Sequence, residues 1–296
     1  MPPKLLSLLA VILAASVLST AGAAEQIAFE RLQVSDETFE RPHDLVLSAD
    51  GKHLYVADVG NNVVRVLDPE SLATVGRIGG DVLAAPHDVT FDSDGRLLVA
   101  DSGNDRTVVF EVAGPTGRKI AVWEAGQASP EGVAAATDGR VYVTNASAHT
   151  VLVLENGRIV NRLGGRGAGP DGFARPHDIH VDAKGRVLIV DPGNNRIQIR
   201  DLQLKLLRTL EGPGYDFNEP KYVTVDAAGW LYVADEYNNQ VKVFDADFRP
   251  VATLGDGQAG RAPNRLRKPE GVEVRGDRLW ISDTYNDRIL LYRIRR

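Results

Sequence analysis

A proline-opened unit recurs six times along this 296-residue chain, and no other feature limits its fold as tightly. The openings fall at Pro42, Pro86, Pro130, Pro176, Pro220 and Pro269, spaced 44, 44, 46, 44 and 49 residues apart. After each proline apolar residues alternate, as Leu45/Leu47, Val89/Phe91, Val133/Ala135, Ile179/Val181, Val223/Val225 and Val272/Val274. A period of two predicts a strand. An Asp-Gly turn follows at Asp50-Gly51, Asp94-Gly95 and Asp138-Gly139. The next strand is apolar almost throughout: LYVAD (54–58), LLVAD (97–101), VYVTN (141–145), VLIVD (187–191), LYVAD (231–235) and LWISD (279–283). Such continuity predicts burial on both faces, as in a sheet stacked between two others. A tight polar turn such as VGNN (59–62) then leads to a third strand, for instance RIQIRD (196–201). A weaker fourth ends near glycines, as in VGRIGG (75–80). Four strands repeated six times at this period predict an all-β chain wound into a six-bladed β-propeller.

The two ends predict how the ring closes. The last unit stops after its third strand at Arg296, while QIAFERLQV (26–34) has strand character but no unit of its own. Placed as the outer strand of the last blade, it removes an orphan edge and ties the termini together. No linker interrupts the pattern, so residues 25–296 read as one domain. Ahead of it, Lys4, an apolar run from Leu5 to Leu18 and the small residues Ala21 to Ala24 predict a secretory signal peptide over residues 1–23. The expected location is therefore periplasmic or secreted, by bacterial export, with no stable membrane insertion after cleavage. The chain has no cysteine, which excludes disulfides and a lipidated cysteine anchor. Its formal charge of −6, without a long Lys/Arg run, argues against a nucleic-acid partner.

The turn segments VADSGNDR (99–106), VDPGNNRI (190–197), VADEYNNQV (233–241) and ISDTYNDRI (281–289), each following a strand and preceding another, resemble the NHL repeat. The aspartates that end the second strands (Asp58, Asp101, Asp191, Asp235, Asp283) read as structural, accepting bonds from the amides of the turn that follows.

The residue after each opening proline behaves differently. In order it is His43, His87, Glu131, His177, Lys221 and Glu270. A position fixed by the fold alone should hold one residue type; this one is always titratable and never apolar. The first strand of a propeller blade lines the central channel, so these six side chains should converge at one mouth. Three imidazoles and two carboxylates there suit a borderline cation such as zinc. Alternate blades lie a third of a turn apart, which singles out His87, His177 and Glu270, with His43 as a substitute or outer ligand. Equally, a histidine at a strand start can bond a neighbouring blade's backbone or its adjacent aspartate, with Lys221 balancing the glutamates.

These Pro-His openings also resemble the propeller of peptidyl-α-hydroxyglycine α-amidating lyase. That resemblance implies zinc held by side chains of alternate blades, here His87, His177 and Glu270. It further implies a catalytic tyrosine in an Asp-x-Tyr turn, which matches Tyr237, with Tyr285 a second match. The family's catalytic arginine would fall near Asn145, where no arginine stands. The implied reaction is C–N cleavage to an amide and an aldehyde acid. Two other readings stay open. One is a binding platform for a peptide, glycan or partner protein. The other resembles the gluconolactonase and regucalcin hydrolases, with calcium held by Glu131, Glu270 and Asn145. A serine-hydrolase elbow and a phosphate loop are both absent; GGRGAGPDG (164–172) lacks the Gly-Lys-Ser/Thr such a loop needs.

Overall fold

A computed structural model describes residues 27–296 apart from Glu37 and Ala125, so the expected signal peptide lies outside the described residues. Six four-stranded antiparallel sheets follow one another along the chain and form the blades. Inner strands run Pro42–Leu47, Pro86–Phe91, Pro130–Ala135, Ile179–Val181, Pro220–Val225 and Val272–Arg275. In blades 4 and 6 the regular strand thus begins three residues after its proline. Pairing still reaches back there: Val190 N–H donates to Asp178 O and Ser282 N–H to Gly271 O, both at 2.9 Å. The closing strand is Ala28–Val34, which pairs with Arg288–Arg295 and sets Phe29 opposite Ile294 and Val34 opposite Leu290. It completes blade 6 as the sequence predicts.

The second strands explain why a ring forms. LYVAD (54–58), LLVAD (97–101), VLIVD (187–191) and LYVAD (231–235) are buried at every position. Each presents one face to the blade before it and the other to the blade after. The apolar core is correspondingly divided among the blade interfaces. Tyr55, Val64 and Val66 of blade 1 pack with Val89, Val99 and Phe110 of blade 2. Trp280, Ile289 and Leu291 of blade 6 pack with Leu45, Leu54 and Val56 of blade 1, so the seam between the ends is as apolar as the rest. Each such side chain contributes about 1.5–3 kcal/mol by leaving water.

A second, polar set of bonds fixes one blade's height against the next. Every second strand ends in a single 3-10 turn, closed by a left-handed residue: Asn62, Asp105, His149, Asn195, Asn239 or Asp287. The side chain of that residue accepts the amide hydrogen of the residue preceding the next blade's proline. Ala85 donates to Asn62 at 2.8 Å, Ser129 to Asp105 at 2.6 Å and Arg175 to His149 Nδ1 at 2.9 Å. Glu219 donates to Asn195 at 2.8 Å, Lys268 to Asn239 at 3.0 Å, and Arg41 to Asp287 at 2.9 Å. The last of these carries the chain of bonds across the junction of the termini.

The strand-ending aspartates work differently from the sequence expectation. None caps its 3-10 turn. One carboxylate oxygen instead accepts an amide of the loop entering its own blade: Glu40 at Asp58 and Asn218 at Asp235 (both 2.8 Å), Arg267 at Asp283 (2.7 Å). The other oxygen holds a cation, as in Asp101–Arg106 (2.7 Å), Asp191–Arg196 (2.9 Å) and Asp235–Lys242 (2.7 Å). The entering loop needs the acceptor more than the turn does, because it must turn into the channel wall with its amides buried. Blade 3 departs from the rule: Asn145 replaces the aspartate and Thr150 the cation.

Candidate functional site

The site is assembled from three consecutive layers of inner-strand side chains. The outermost layer is the residue after each opening proline. The middle layer is the following residue: Asp44, Asp88, Gly132, Asp178, Tyr222 and Gly271. The innermost layer, two residues further on, includes His180, Thr224 and Glu273, which line a cavity of about 300 Å³ with the three aspartates.

Tyr222 separates the two ends of the channel. Its hydroxyl crosses from blade 5 to donate to His87 O of blade 2 at 2.9 Å, with Glu131 O at 3.4 Å. Its ring packs edge-on against His177, centroids 4.9 Å apart. The two glycines of the middle layer have a steric reason of their own. A Cβ at Gly132 would lie 2.6 Å from His177 O, and one at Gly271 would lie 2.2 Å from His43 O.

The middle-layer aspartates do not pair with their histidines. Each reaches the next blade's inner strand: Asp88 accepts Val133 N–H at 2.7 Å, Asp178 accepts Val223 N–H at 2.8 Å, and Asp44 accepts Val89 N–H at 3.4 Å. Burial, then mutual repulsion, pushes all three well above the usual carboxylate range. Burial likewise pushes Glu273 up to about 7.

In the outermost layer the structure brings together His43, His177 and Glu270. One potential ligand atom from each lies within 4.8 Å of the other two. His43 Nδ1 is 3.4 Å from Glu270 Oε2, and His177 Nε2 is 3.9 Å from the same oxygen. Glu131 Oε2 stands 3.6 Å from His177 Nε2. Although buried, His43 Nδ1, His177 Nδ1, Glu131 Oε2 and Glu270 Oε2 make no hydrogen bond.

The set differs from the alternate-blade set that the sequence singles out, because His43 takes the place of His87. His87 Nδ1 lies 2.8 Å from Ala85 O, which fixes the ring, and the ring meets His43 edge-on at a centroid distance of 4.6 Å. A carbonyl only accepts, so Nδ1 carries the hydrogen and Nε2 keeps its lone pair. Lys221 bonds outward, to Glu236 at 3.4 Å and Glu219 at 3.5 Å, leaving the axis to the imidazoles and Glu270. Tyr237 sits at the rim, 48% exposed, with Lys268 Nζ 3.9 Å from its ring centre; Tyr285 flanks the same lysine at 4.7 Å. Asn145 is buried in blade 3, where its side chain accepts Ala128 N–H and donates to Gly126 O at 3.2 Å.

Burial disfavours the charged form of all three imidazoles. Burial first, then the charges of neighbouring groups including Lys221, holds His43 and His177 well below the usual histidine range. His87 is held down too, chiefly by burial. Burial pushes Glu270 up to about 8 against the opposing pull of Lys221. Burial works against the charge on Lys221, yet Glu270, Glu236, Glu219 and Glu131 raise its pKa.

Sequence reasoning finds the outermost layer but misses Tyr222, Glu273 and the bonding of the three aspartates. The signal available was the middle layer's own irregularity, a lone tyrosine among aspartates and glycines.

Comparison with known proteins agrees with this architecture. Residues 39–67 and 83–110 match the NHL repeat model, and residues 132–256 match a family described as a 6-bladed beta-propeller. Virginiamycin B lyase from Staphylococcus aureus superposes with a TM-score of 0.64 at 12% identity, over 90% of this chain and 99% of that one. A catalytically inactive histidine-to-alanine variant of that lyase, with quinupristin, gives 0.65 at the same identity and coverage. An auxiliary nutrient binding protein from Bacteroides ovatus gives 0.70 at 13% identity, over 92% of this chain and 78% of its own. By fold the chain is a six-bladed β-propeller, and its first two blades carry segments that match the NHL repeat.

Proposed function

We propose that the protein is an exported, metal-dependent lyase that works on a small molecule or peptide at the channel mouth, with His43, His177 and Glu270 holding the cation. One observation carries the reading: His43 Nδ1 and Glu270 Oε2, both buried and without a hydrogen-bond partner, converge at the mouth with His177 Nε2. Buried polar atoms in a settled fold are nearly always satisfied. Atoms left over at a point of convergence are what a bound cation would use.

The donor set fits zinc. Ligand atoms roughly 2.0–2.2 Å from a tetrahedral zinc lie roughly 3.3–3.6 Å from each other. The separations around Glu270 are 3.4 Å and 3.9 Å, and with all three ligand atoms within 4.8 Å of one another the side chains would draw together to meet that. Two neutral imidazoles and one carboxylate also suit zinc better than calcium, which prefers oxygen throughout. When bound, the ion supplies Lewis acidity to a substrate oxygen.

The remaining roles belong to side chains. His87 would accept a proton on its free Nε2. Tyr222 closes the floor, so substrate enters and leaves by one mouth. Tyr237, at the rim, would move a proton to the leaving group, as the likeness to the amidating lyase implies. The lyases of similar fold support the reaction class, one of them being catalytically inactive as a histidine-to-alanine variant. A binding platform is the second reading, favoured by the two exposed tyrosines around Lys268.

The test is turnover of a short peptidyl-α-hydroxyglycine by zinc-loaded protein, followed by release of the aldehyde acid. Release that disappears on His177→Ala or on chelation supports the lyase reading. No release from zinc-replete wild type, or equal release by the variant, removes it.

A further inference from the structure

Two of the six units open with the same tetrapeptide, Arg-Pro-His-Asp, at residues 41–44 and 175–178. They are the two units whose histidines join Glu270 in the convergent group. The third histidine, His87, follows Ala85-Pro86 and stays outside that group. An arginine therefore accompanies each of the two candidate ligand histidines, and only those.

Blades 1 and 4 stand opposite one another in a ring of six, so the arginines reach the mouth from opposite sides. Both are held in the left-handed region, at φ 51° for Arg41 and 57° for Arg175. Their amides anchor this conformation on Asp287 and His149. The backbone is fixed while the guanidinium groups are left over. Arg41 has no side-chain partner among the described residues. Arg175 is 69% exposed at its side chain and meets Glu131 only at 3.5 Å. Neither holds the fold together, and Arg175 lines the mouth beside Glu131, His177 and Lys221.

The charge around the mouth also points to an anion. Arg41, Arg175, Lys221 and Lys268 stand around the ring together with Glu131, Glu219, Glu236 and Glu270. A divalent cation held there would add two further positive charges, which favours an anionic guest.

We infer that Arg41 and Arg175 form an oxyanion-binding collar above the proposed cation site, so that the molecule taken at the mouth carries a carboxylate or a tetrahedral oxyanion. A guanidinium fork matches either group with paired hydrogen bonds. The inference rests on the cation reading for its charge argument, but the collar itself can be tested without it.

Calorimetric titration with acetate and with sulfate, on zinc-loaded and on chelator-treated protein with zinc content measured in parallel, separates the two. Wild type is expected to bind at least one anion. The Arg41→Gln/Arg175→Gln pair should bind it at least roughly tenfold more weakly, the weight of one charged hydrogen bond, with zinc content unchanged. Preference for acetate assigns a carboxylate, and preference for sulfate a tetrahedral oxyanion. Should the glutamine pair unfold early, the Arg41→Lys/Arg175→Lys pair replaces it, keeping the charge but losing the fork, and is expected to bind severalfold more weakly. Arginine-dependent anion binding by a protein that takes up no zinc would sustain the collar and remove the cation reading. Failure of either anion to bind wild type, or undiminished binding by the variants, would overturn the collar.

Discussion

Asp287 Oδ1 accepts the amide hydrogen of Arg41 at 2.9 Å across 246 residues of sequence. The same bond links every other pair of neighbouring blades, with Asn, Asp or His as the acceptor. Closing the propeller therefore uses no special device at the termini. It repeats the inter-blade bond once more, over an apolar seam like the others.

Asp287→Gly keeps the left-handed backbone, which glycine adopts freely, but removes the acceptor. Equilibrium urea unfolding should show a loss of about 1 kcal/mol. Asp287→Asn should lie within about 0.5 kcal/mol of wild type, since asparagine fills the same position in blades 1, 4 and 5. A large loss for the asparagine variant would show that charge, not the bond, matters at the seam.

Asp191→Ala should be far more damaging. It leaves the buried Arg196 guanidinium without its 2.9 Å partner and strips the Ala174 amide of its acceptor. Removing one member of a buried ion pair costs about 3–5 kcal/mol. Urea unfolding of this variant, or its failure to accumulate as soluble protein, checks the estimate.

Glu273 gives a pH dependence of defined sign. Its carboxyl is pushed up to about 7 when folded, against 4.5 ordinarily. The folded state thus binds the proton more tightly. The stability it contributes is full below about pH 4.5 and is lost as pH rises through about 7, on the order of 3 kcal/mol in total. Urea unfolding in the presence of chelator should therefore carry a contribution from Glu273 that falls from pH 5 to pH 8, opposite in sign to that of the buried histidines. Glu273→Gln should remove that contribution from the slope. A slope unchanged by the substitution would place the dependence on other groups.

Tyr222→Phe tests the floor of the mouth. Loss of the bond to His87 O should lower stability by about 1 kcal/mol and leave the candidate ligand atoms in place. Tyr222→Ala empties a fully buried ring and should cost about 3–5 kcal/mol. Unfolding curves of the two variants, compared with wild type, separate the hydroxyl from the ring.

The fold was legible because it rests on local regularities. Proline openings, alternation in Leu45/Leu47 and its counterparts, and unbroken apolar runs such as VLIVD each act within one blade and recur six times. The outermost layer was legible for the same reason, since His43, His87, Glu131, His177, Lys221 and Glu270 share one position in the repeat. Which of them meet was not. Symmetry of a perfect ring favours His87, but the Ala85 carbonyl holds its Nδ1 and His43 reaches Glu270 instead. That choice depends on side-chain direction within one position, which spacing does not encode. Tyr222 escaped for a related reason: its bond runs to a residue 135 positions away. The strand-ending aspartates were recognised as structural, yet the backbone amides they accept lie in the preceding loop, and the turn that follows bonds them only through an asparagine side chain, as Asn61 does at Asp58 and Asn194 at Asp191.

The central claim is that His43, His177 and Glu270 make one cation site. Zinc binding by chelator-treated protein, followed by competition with a chromophoric chelator, tests it most directly. The account predicts one zinc per chain in wild type, affinity lowered by at least roughly tenfold in His43→Ala, His177→Ala and Glu270→Gln, and no change in His53→Ala, which lies outside the group. Absence of tight zinc binding in wild type, or a stoichiometry and affinity that survive all three substitutions, would contradict it.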